Sequence, residues 1–178
     1  MTSRDAWIAE MSPTFDTHGA AEAALLEALS PHFNITQEVW LYLPEGGRLR
    51  CDMFCTPLCD FPQSHFAIEI KTQVQSAREY AAQASQAIDY ARSTVIDDRL
   101  PSVAVQFAYT FPKPGHNPID DQAKHRNQGI ALLAGRQSVG FIETTPWLRF
   151  EMSGQRQWCE RHGENINARK RRTVGAAA

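Results

Sequence analysis

The strongest constraint on the fold lies in the middle of the chain, where residues 75–96 form an alanine-rich stretch between two short apolar runs. Ala77, Tyr80, Ala81, Ala84, Ala87, Ile88, Ala91 and Val95 recur there at helical spacing, so a single apolar face runs along a long helix. In the run before it, residues 65–72 (HFAIEIKT), Phe66, Ile68 and Ile70 alternate with Ala67, Glu69 and Lys71, the period of a strand. The run after it, residues 102–110 (SVAVQFAYT), is apolar and rich in β-branched and aromatic residues, the pattern of a buried strand. Two strands joined by a long helix are expected to be parallel neighbours linked by a right-handed crossover. The class that follows is α/β, a central mixed β-sheet flanked by helices.

Upstream, residues 19–29 (GAAEAALLEAL) are rich in strong helix formers, with Asp16 or Thr17 to cap the start and Pro31 to end it. Residues 35–43 and 48–56 carry β-branched and aromatic side chains on either side of Pro44-Glu45-Gly46-Gly47, which reads as a hairpin. The element order is therefore α-β-β-β-α-β. Beyond it, residues 122–135 read as a helix and residues 140–143 and 147–152 as short strands. Trp147, Phe150 and Trp158 can cover the sheet, stack on bases or line a dimer contact, with core packing the first expectation.

At 178 residues the chain can bury one sizeable core, and the reading is a single domain over residues 17–160 between an N-terminal segment, 1–16, and a basic tail, 161–178. The tail holds Arg169-Lys170-Arg171-Arg172, which either contacts phosphates or is a solvated end. A net charge of -2 argues against coating nucleic acid by bulk electrostatics, but not against an enzyme with a local basic rim around acidic residues. No apolar run approaches the roughly eighteen residues of a membrane span. Asp5 and Glu10 stand where a signal peptide would be apolar, so the expected location is cytoplasmic, without membrane contact. Cys51, Cys55 and Cys59 recur every four residues, yet their only companions are Cys159 and His162. That is a poor match to paired zinc ligands, and reduced, partly buried thiols are expected. Asp120-Asp121 with His116 and His125 reads as a loop and helix cap before it reads as a second metal site.

The chemistry-bearing residues sit on the strands. Glu69 and Lys71 are two apart on one strand, so both side chains point to one face. Asp52, on the strand before, supplies a second carboxylate that strand pairing brings within reach. Two carboxylates offer hard oxygen ligands for Mg²⁺ or Mn²⁺, and a lysine beside them can orient water or stabilise negative charge. This set suits phosphodiester hydrolysis.

Glu69-Ile70-Lys71, with Asp52 seventeen positions earlier, resembles the ExK element and upstream acid of the PD-(D/E)xK nuclease superfamily, although Cys51 stands where that family often has proline. Gln86-Ala87-Ile88-Asp89-Tyr90, fifteen residues after Lys71, is similar to the QxxxY motif of its RecB-like exonuclease branch, and His18-Gly19-Ala20-Ala21-Glu22 to that branch's HxxxE element. The resemblance implies a restriction-endonuclease-like core. It also implies catalytic roles for Asp52, Glu69, Lys71, Glu22, Gln86 and Tyr90, and metal contacts from Asp52, Glu69, Ile70 and His18. The implied function is Mg²⁺- or Mn²⁺-dependent cleavage of DNA by an exonuclease or DNA-processing nuclease of phage, mobile-element or repair type. A helicase or other recombination or repair protein is a conceivable partner. An inactive nucleic-acid or protein binding module of the same fold, or a nuclease acting on RNA, are the alternatives. Read without the resemblance, His18 is a cap or surface residue, Glu22 the polar face of a helix, and Gln86 and Tyr90 helix–sheet packing.

Overall fold

Thr17 accepts a hydrogen bond from the Ala20 amide on its hydroxyl, at 3.2 Å, as an N-cap. Helix α1 (His18–Leu29) follows and buries Ala21, Leu25 and Leu29 in one stripe. Burying each leucine contributes about 1.5–3 kcal/mol, enough to hold a short helix whose isolated form is marginal. The computed structural model describes residues 15, 17–71, 77–112, 121–145 and 147–160. Asp16, His116, Asp120, His162, the start of the long helix before Ala77, and the basic run at 169–172 lie outside the described residues, as do the side chains of Asp121 and His125.

Strands β1 (Phe33–Tyr42) and β2 (Arg48–Pro57) form the expected hairpin, closed by Gly46 and Gly47 at φ 98° and 104°, values that favour glycine. Strand β3 (Phe66–Ile70) runs antiparallel to β2. Helix α2 (Ala77–Ala91) then leads to β4 (Thr94–Val95) and β5 (Ala108–Phe111), and β5 lies parallel to β3 as expected. Helix α3 (Asp121–Gly135), β6 (Val139–Glu143), β7 (Arg149–Met152) and β8 (Gln155–Cys159) complete the elements among the described residues. The eight strands make one mixed sheet in the order β4-β1-β2-β3-β5-β6-β7-β8. The protein is thus α/β, with three helices flanking an eight-stranded sheet among the described residues. No helix among them is long and apolar enough to cross a membrane.

Two expectations need correction, and one strand goes beyond them. The long helix stops at Ala91 rather than near residue 96, because Thr94-Val95-Ile96 is β-branched and pairs with β1 as an edge strand, Val95 opposite Leu41. The strand expected over 102–110 is regular only from Ala108, and the segment before it crosses back to bond Ser93 and Val95. The last hairpin arm, β8, was not expected at all; Ser153 and Gly154, both at positive φ, turn it onto β7. Strand β3 is also buried along its whole length, so its alternation separates two covered faces rather than core from solvent.

The sheet divides the core in two. On one side, Phe66, Ile68, Ile70 and Phe150 pack with the leucines of α1. Phe33, Phe61, Phe150 and Trp158 all meet one another there, with ring centroids 4.9–6.0 Å apart. Phe150 and Trp158 are therefore core residues, whereas Trp147 is 40% exposed. On the other side, Ala84, Ala87 and Tyr90 of α2 pack on Val39, Leu41, Cys51, Phe54 and Ala67. The four cysteines are free; Cys51, Cys55 and Cys159 are buried thiols, as expected.

Gly140 on β6 sits where neighbours leave no room: a Cβ there would come 2.3 Å from the Glu151 carbonyl and 2.6 Å from the Tyr109 ring. Gly129, within α3, has nothing within 4 Å. Gly140→Ala is expected to destabilise by about 1–3 kcal/mol. Gly129→Ala should stabilise by about 1 kcal/mol through helix propensity. Thermal unfolding of the two variants should shift in opposite directions, and a shared direction would contradict the described packing of β6 against β5 and β7.

Candidate active site

The ladder between β2 and β3 stops at the pair Met53↔Ile68, and beyond it the two strands part. On its other edge β3 continues to bond, since the Lys71 amide donates to the Phe111 carbonyl at 2.8 Å. The Ile70 amide faces the fork and has lost a strand partner. It donates instead to Asp52 Oδ2, at 2.5 Å. A buried N–H left unpaired costs about 1–3 kcal/mol, so Asp52 has a structural task as well as a charge.

Glu69 lies beside this bond with 1% of its side chain exposed. Its Oε1 forms an ion pair with Lys71, whose side chain is 46% exposed and so reaches from the fork toward solvent. Its Oε2 meets the Tyr90 hydroxyl at 2.5 Å, and that hydroxyl also lies 2.9 Å from the Arg50 carbonyl. Tyr90 has one proton to give, and a carboxylate is the stronger acceptor, so an ionised Glu69 takes it. Gln86, one turn earlier on α2, donates its amide to the Tyr90 oxygen at 2.8 Å. The four-residue spacing of Gln86 and Tyr90 thus puts both on one helix face, in a relay that ends on Glu69 rather than on Lys71. Gln83, buried on the same face, donates to the Phe111 carbonyl at 3.1 Å and reaches the Glu69 carbonyl at 3.4 Å, tying α2 to the ends of β3 and β5.

The N-terminus of α1 approaches from the other side. His18 Nε2 is 3.7 Å from Asp52 Oδ1. Glu22, one turn on, accepts a hydrogen bond from Gln37 Nε2 at 2.8 Å and adds negative potential at Asp52. Ile70 has its side chain in the core, which leaves its carbonyl as its oxygen donor.

Strand β1 bends at the same level. Its ladder with β2 runs to Gln37↔Met53 and resumes at Val39↔Cys51, leaving out Glu38 and Asp52. Glu38 has φ 57°, a left-handed conformation that costs about 1 kcal/mol in a residue other than glycine. Arg99 holds the bend by donating from Nη2 to the carbonyls of Gln37 and Glu38, both at 3.1 Å, while gripping Asp97 with Nε and Nη2. Asp97 Oδ2 accepts the Trp40 amide at 3.3 Å, and the Arg99 guanidinium holds the Asp97 carboxyl well below the usual carboxylate range. The ribbon twists here. Phe33 and Ile35 pack on the α1 side, whereas Val39 and Leu41, of the same parity, pack on the α2 side.

Burial dominates the electrostatics. It raises the carboxyl of Asp52 above its ordinary range, opposed by the Ile70 amide, His18 and Lys71. It raises Glu69 likewise, opposed by Lys71 and Tyr90 and reinforced by the charge on Asp52. The Tyr90 hydroxyl is pushed far above its ordinary value by burial and by Glu69, so it acts as a donor throughout the working pH range.

No protein-family model, curated protein or solved structure matches this chain. The fold joins Glu69, Lys71, Tyr90 and Gln86 in one network, ties Asp52 to the same strand through the Ile70 amide, sets His18 against Asp52, and holds Glu22 nearby through Gln37. Missing from the sequence reading were the Arg50 carbonyl, the Asp97–Arg99 clip and the bonding role of Gln83. Only Gln83 carried a signal, its place one turn before Gln86.

Among the described residues, no three His, Cys, Asp or Glu side chains form a ready-made metal cage. Mg²⁺ does not require one, since it is commonly held by one or two carboxylates together with water and phosphate oxygens. Asp52 Oδ1 and Glu69 Oε1, the carboxylate oxygens not taken by a neutral donor, are hard ligands of the right kind. The donor set fits such an ion.

Both carboxyls lie above their ordinary range, so the folded chain binds their protons more tightly than the unfolded chain. The pair therefore favours folding at acidic pH and costs stability as pH rises through the raised values. Asp52→Asn keeps an oxygen for the Ile70 amide and removes one charge. In EDTA at pH 7.5 its Tm is expected to rise by about 2–4 °C, the shift that 1 kcal/mol gives a chain of this size. The gain should shrink toward pH 4. A lower Tm at every pH would show that the carboxylate is stabilised, not strained, by its surroundings.

Proposed function

We propose that this chain is a metal-dependent nuclease of the PD-(D/E)xK type, with a restriction-endonuclease-like core, that hydrolyses DNA phosphodiester bonds as an exonuclease or DNA-processing enzyme. The observation that carries the reading is the fork of β2 and β3, where two desolvated carboxylates, Asp52 and Glu69, stand beside Lys71. Holding two such carboxylates together is costly, and a divalent cation with a phosphate is the kind of ligand that offsets the cost. The element order gives further support: a helix, three antiparallel strands, then a helix that leads, through the short edge strand β4, to a parallel strand.

Asp52, Glu69 and the Ile70 carbonyl would hold Mg²⁺ or Mn²⁺, with His18 as an additional contact. When bound, the ion acidifies water and offsets the charge of the phosphate. The residues of the chain do the rest. Lys71, reaching from Glu69 toward solvent, donates a hydrogen bond to the attacking water or to a phosphate oxygen as negative charge grows there. Water oxygen bonds to phosphorus and releases a proton to solvent, the phosphorus–oxygen bond to the leaving strand breaks, and the leaving oxygen takes a proton from solvent. Tyr90, backed by Gln86, fixes the orientation of Glu69 so that Oε1 faces the fork. The Ile70 amide does the same for Asp52, leaving Oδ1 outward. Glu22 adds negative potential that favours a cation at Asp52.

The test is incubation with linear, circular and single-stranded DNA and with RNA, in Mg²⁺, Mn²⁺ or EDTA. DNA cleavage is expected with either metal and not with EDTA. Glu69→Ala and Lys71→Ala should each slow it by about 10²–10⁴-fold. Cleavage that survives either substitution contradicts the site, and a chain that cleaves no substrate is a binding module instead.

A further inference from the structure

Beyond the bend at Glu38, the β1–β2 hairpin presents two different faces. Val39, Leu41 and Cys51 pack under α2, and the intervening side chains on the other face remain in solvent. These are Trp40, 46% exposed, and Tyr42, 45% exposed, each directly opposite an exposed arginine: Trp40↔Arg50 and Tyr42↔Arg48. Two large aromatics side by side in water are a cost that folding does not require, since the packed face already holds the hairpin to α2. The Arg50 guanidinium lies 5.7 Å from the Trp40 ring centroid, a cation–π contact on one face of an indole that is still half exposed.

We propose that this face binds single-stranded DNA, with bases stacked on Trp40 and Tyr42 and phosphates on Arg48 and Arg50. The proposal deepens the nuclease reading and rests on it for the choice of DNA. Side chains two residues apart on a strand stand about 6.8 Å apart. That is about twice the 3.4 Å step between stacked bases along one strand, so the two aromatics are spaced for alternate bases. Duplex bases are already stacked on each other and offer no free face, whereas unpaired bases do. Arg50 is held by Glu38 at 2.6 Å, but both partners are about half exposed. Such pairs are weak, so a phosphate displaces Glu38 at little cost. Charge complementarity is local, carried by arginines on a chain whose net charge is -2.

The face is continuous with the fork. Arg50 and Asp52 are two residues apart on β2, and the Arg50 carbonyl lies 2.9 Å from the hydroxyl that meets Glu69. A strand laid along Tyr42 and Trp40 therefore runs toward Asp52, Glu69 and Lys71. Arg48 and Arg50 would draw its backbone along the β2 row that leads to Asp52.

Binding of a dye-labelled 20-nucleotide oligo-dT is measured by fluorescence anisotropy in EDTA, which separates binding from cleavage. Trp40→Ala and Tyr42→Ala are each expected to weaken binding about 5- to 150-fold, the equivalent of about 1–3 kcal/mol per stacked base. Trp40→Phe should retain most of the affinity, and Arg48→Glu should weaken binding and flatten its salt dependence. Both aromatics are half exposed, so the variants should keep the wild-type circular dichroism spectrum and Tm. Wild-type affinity in both alanine variants overturns the proposal. So does tighter binding of a duplex or of oligo-U, or concentration-dependent dimerisation that is lost in Trp40→Ala. If oligo-dT binds through Trp40 but nothing is cleaved in Mg²⁺ or Mn²⁺, the nuclease reading fails and the platform stands. If DNA is cleaved with an unchanged KM in both alanine variants, the platform alone fails.

Discussion

The structure turns on a single hydrogen bond, from the Ile70 amide to the Asp52 carboxylate, made where β2 and β3 stop pairing. Without it the sheet would carry an orphaned amide at the mouth of a fork. With it, a carboxylate is drawn among strands and loses much of its water. Glu69, which feels its charge, is already buried, and the surroundings divide the work of compensating the two charges. Lys71 and Tyr90 serve Glu69, while the Ile70 amide and His18 serve Asp52. Two carboxylates against one lysine is the feature on which the proposed divalent-cation site rests.

A site of this kind depends on bends that regular secondary structure does not supply. Glu38 adopts a left-handed conformation beside Asp52, and the Asp97–Arg99 pair holds the carbonyls that this turns outward. Arg99 comes from the loop that follows β4, the short edge strand paired with β1. The edge of the sheet thus supports the level of the sheet at which the carboxylates sit. The same twist leaves Trp40 and Tyr42 in solvent while Val39 and Leu41 pack beneath α2.

Much of this could be read from residue order, and the limits have physical causes. Periodicities of two and of about 3.6 residues suffice to place Glu69 with Lys71 and Gln86 with Tyr90. Apolar patterning identifies α1, the first hairpin and the parallel pairing of β3 with β5. The contact of Tyr90 with Glu69 was not legible, because it depends on how α2 docks across the sheet. Nor was the bend at Glu38, where neither glycine nor asparagine marks a positive φ. The apolar spacing of α2 continues to Val95, but strand pairing with Leu41 outweighs it once the chain meets β1. Strand β8 is short and half polar, and it gains its stability from Trp158 in the core rather than from its own pattern.

The central claim, that Asp52 and Glu69 form a cation site at the fork, is tested most directly by a crystal structure of the protein grown with Mn²⁺. Anomalous density is expected within about 2.0–2.3 Å of an oxygen of each carboxylate, and it should vanish from crystals of Glu69→Gln. Fully occupied Mn²⁺ elsewhere, with Lys71 still paired to Glu69 and no density at the fork, would contradict the account.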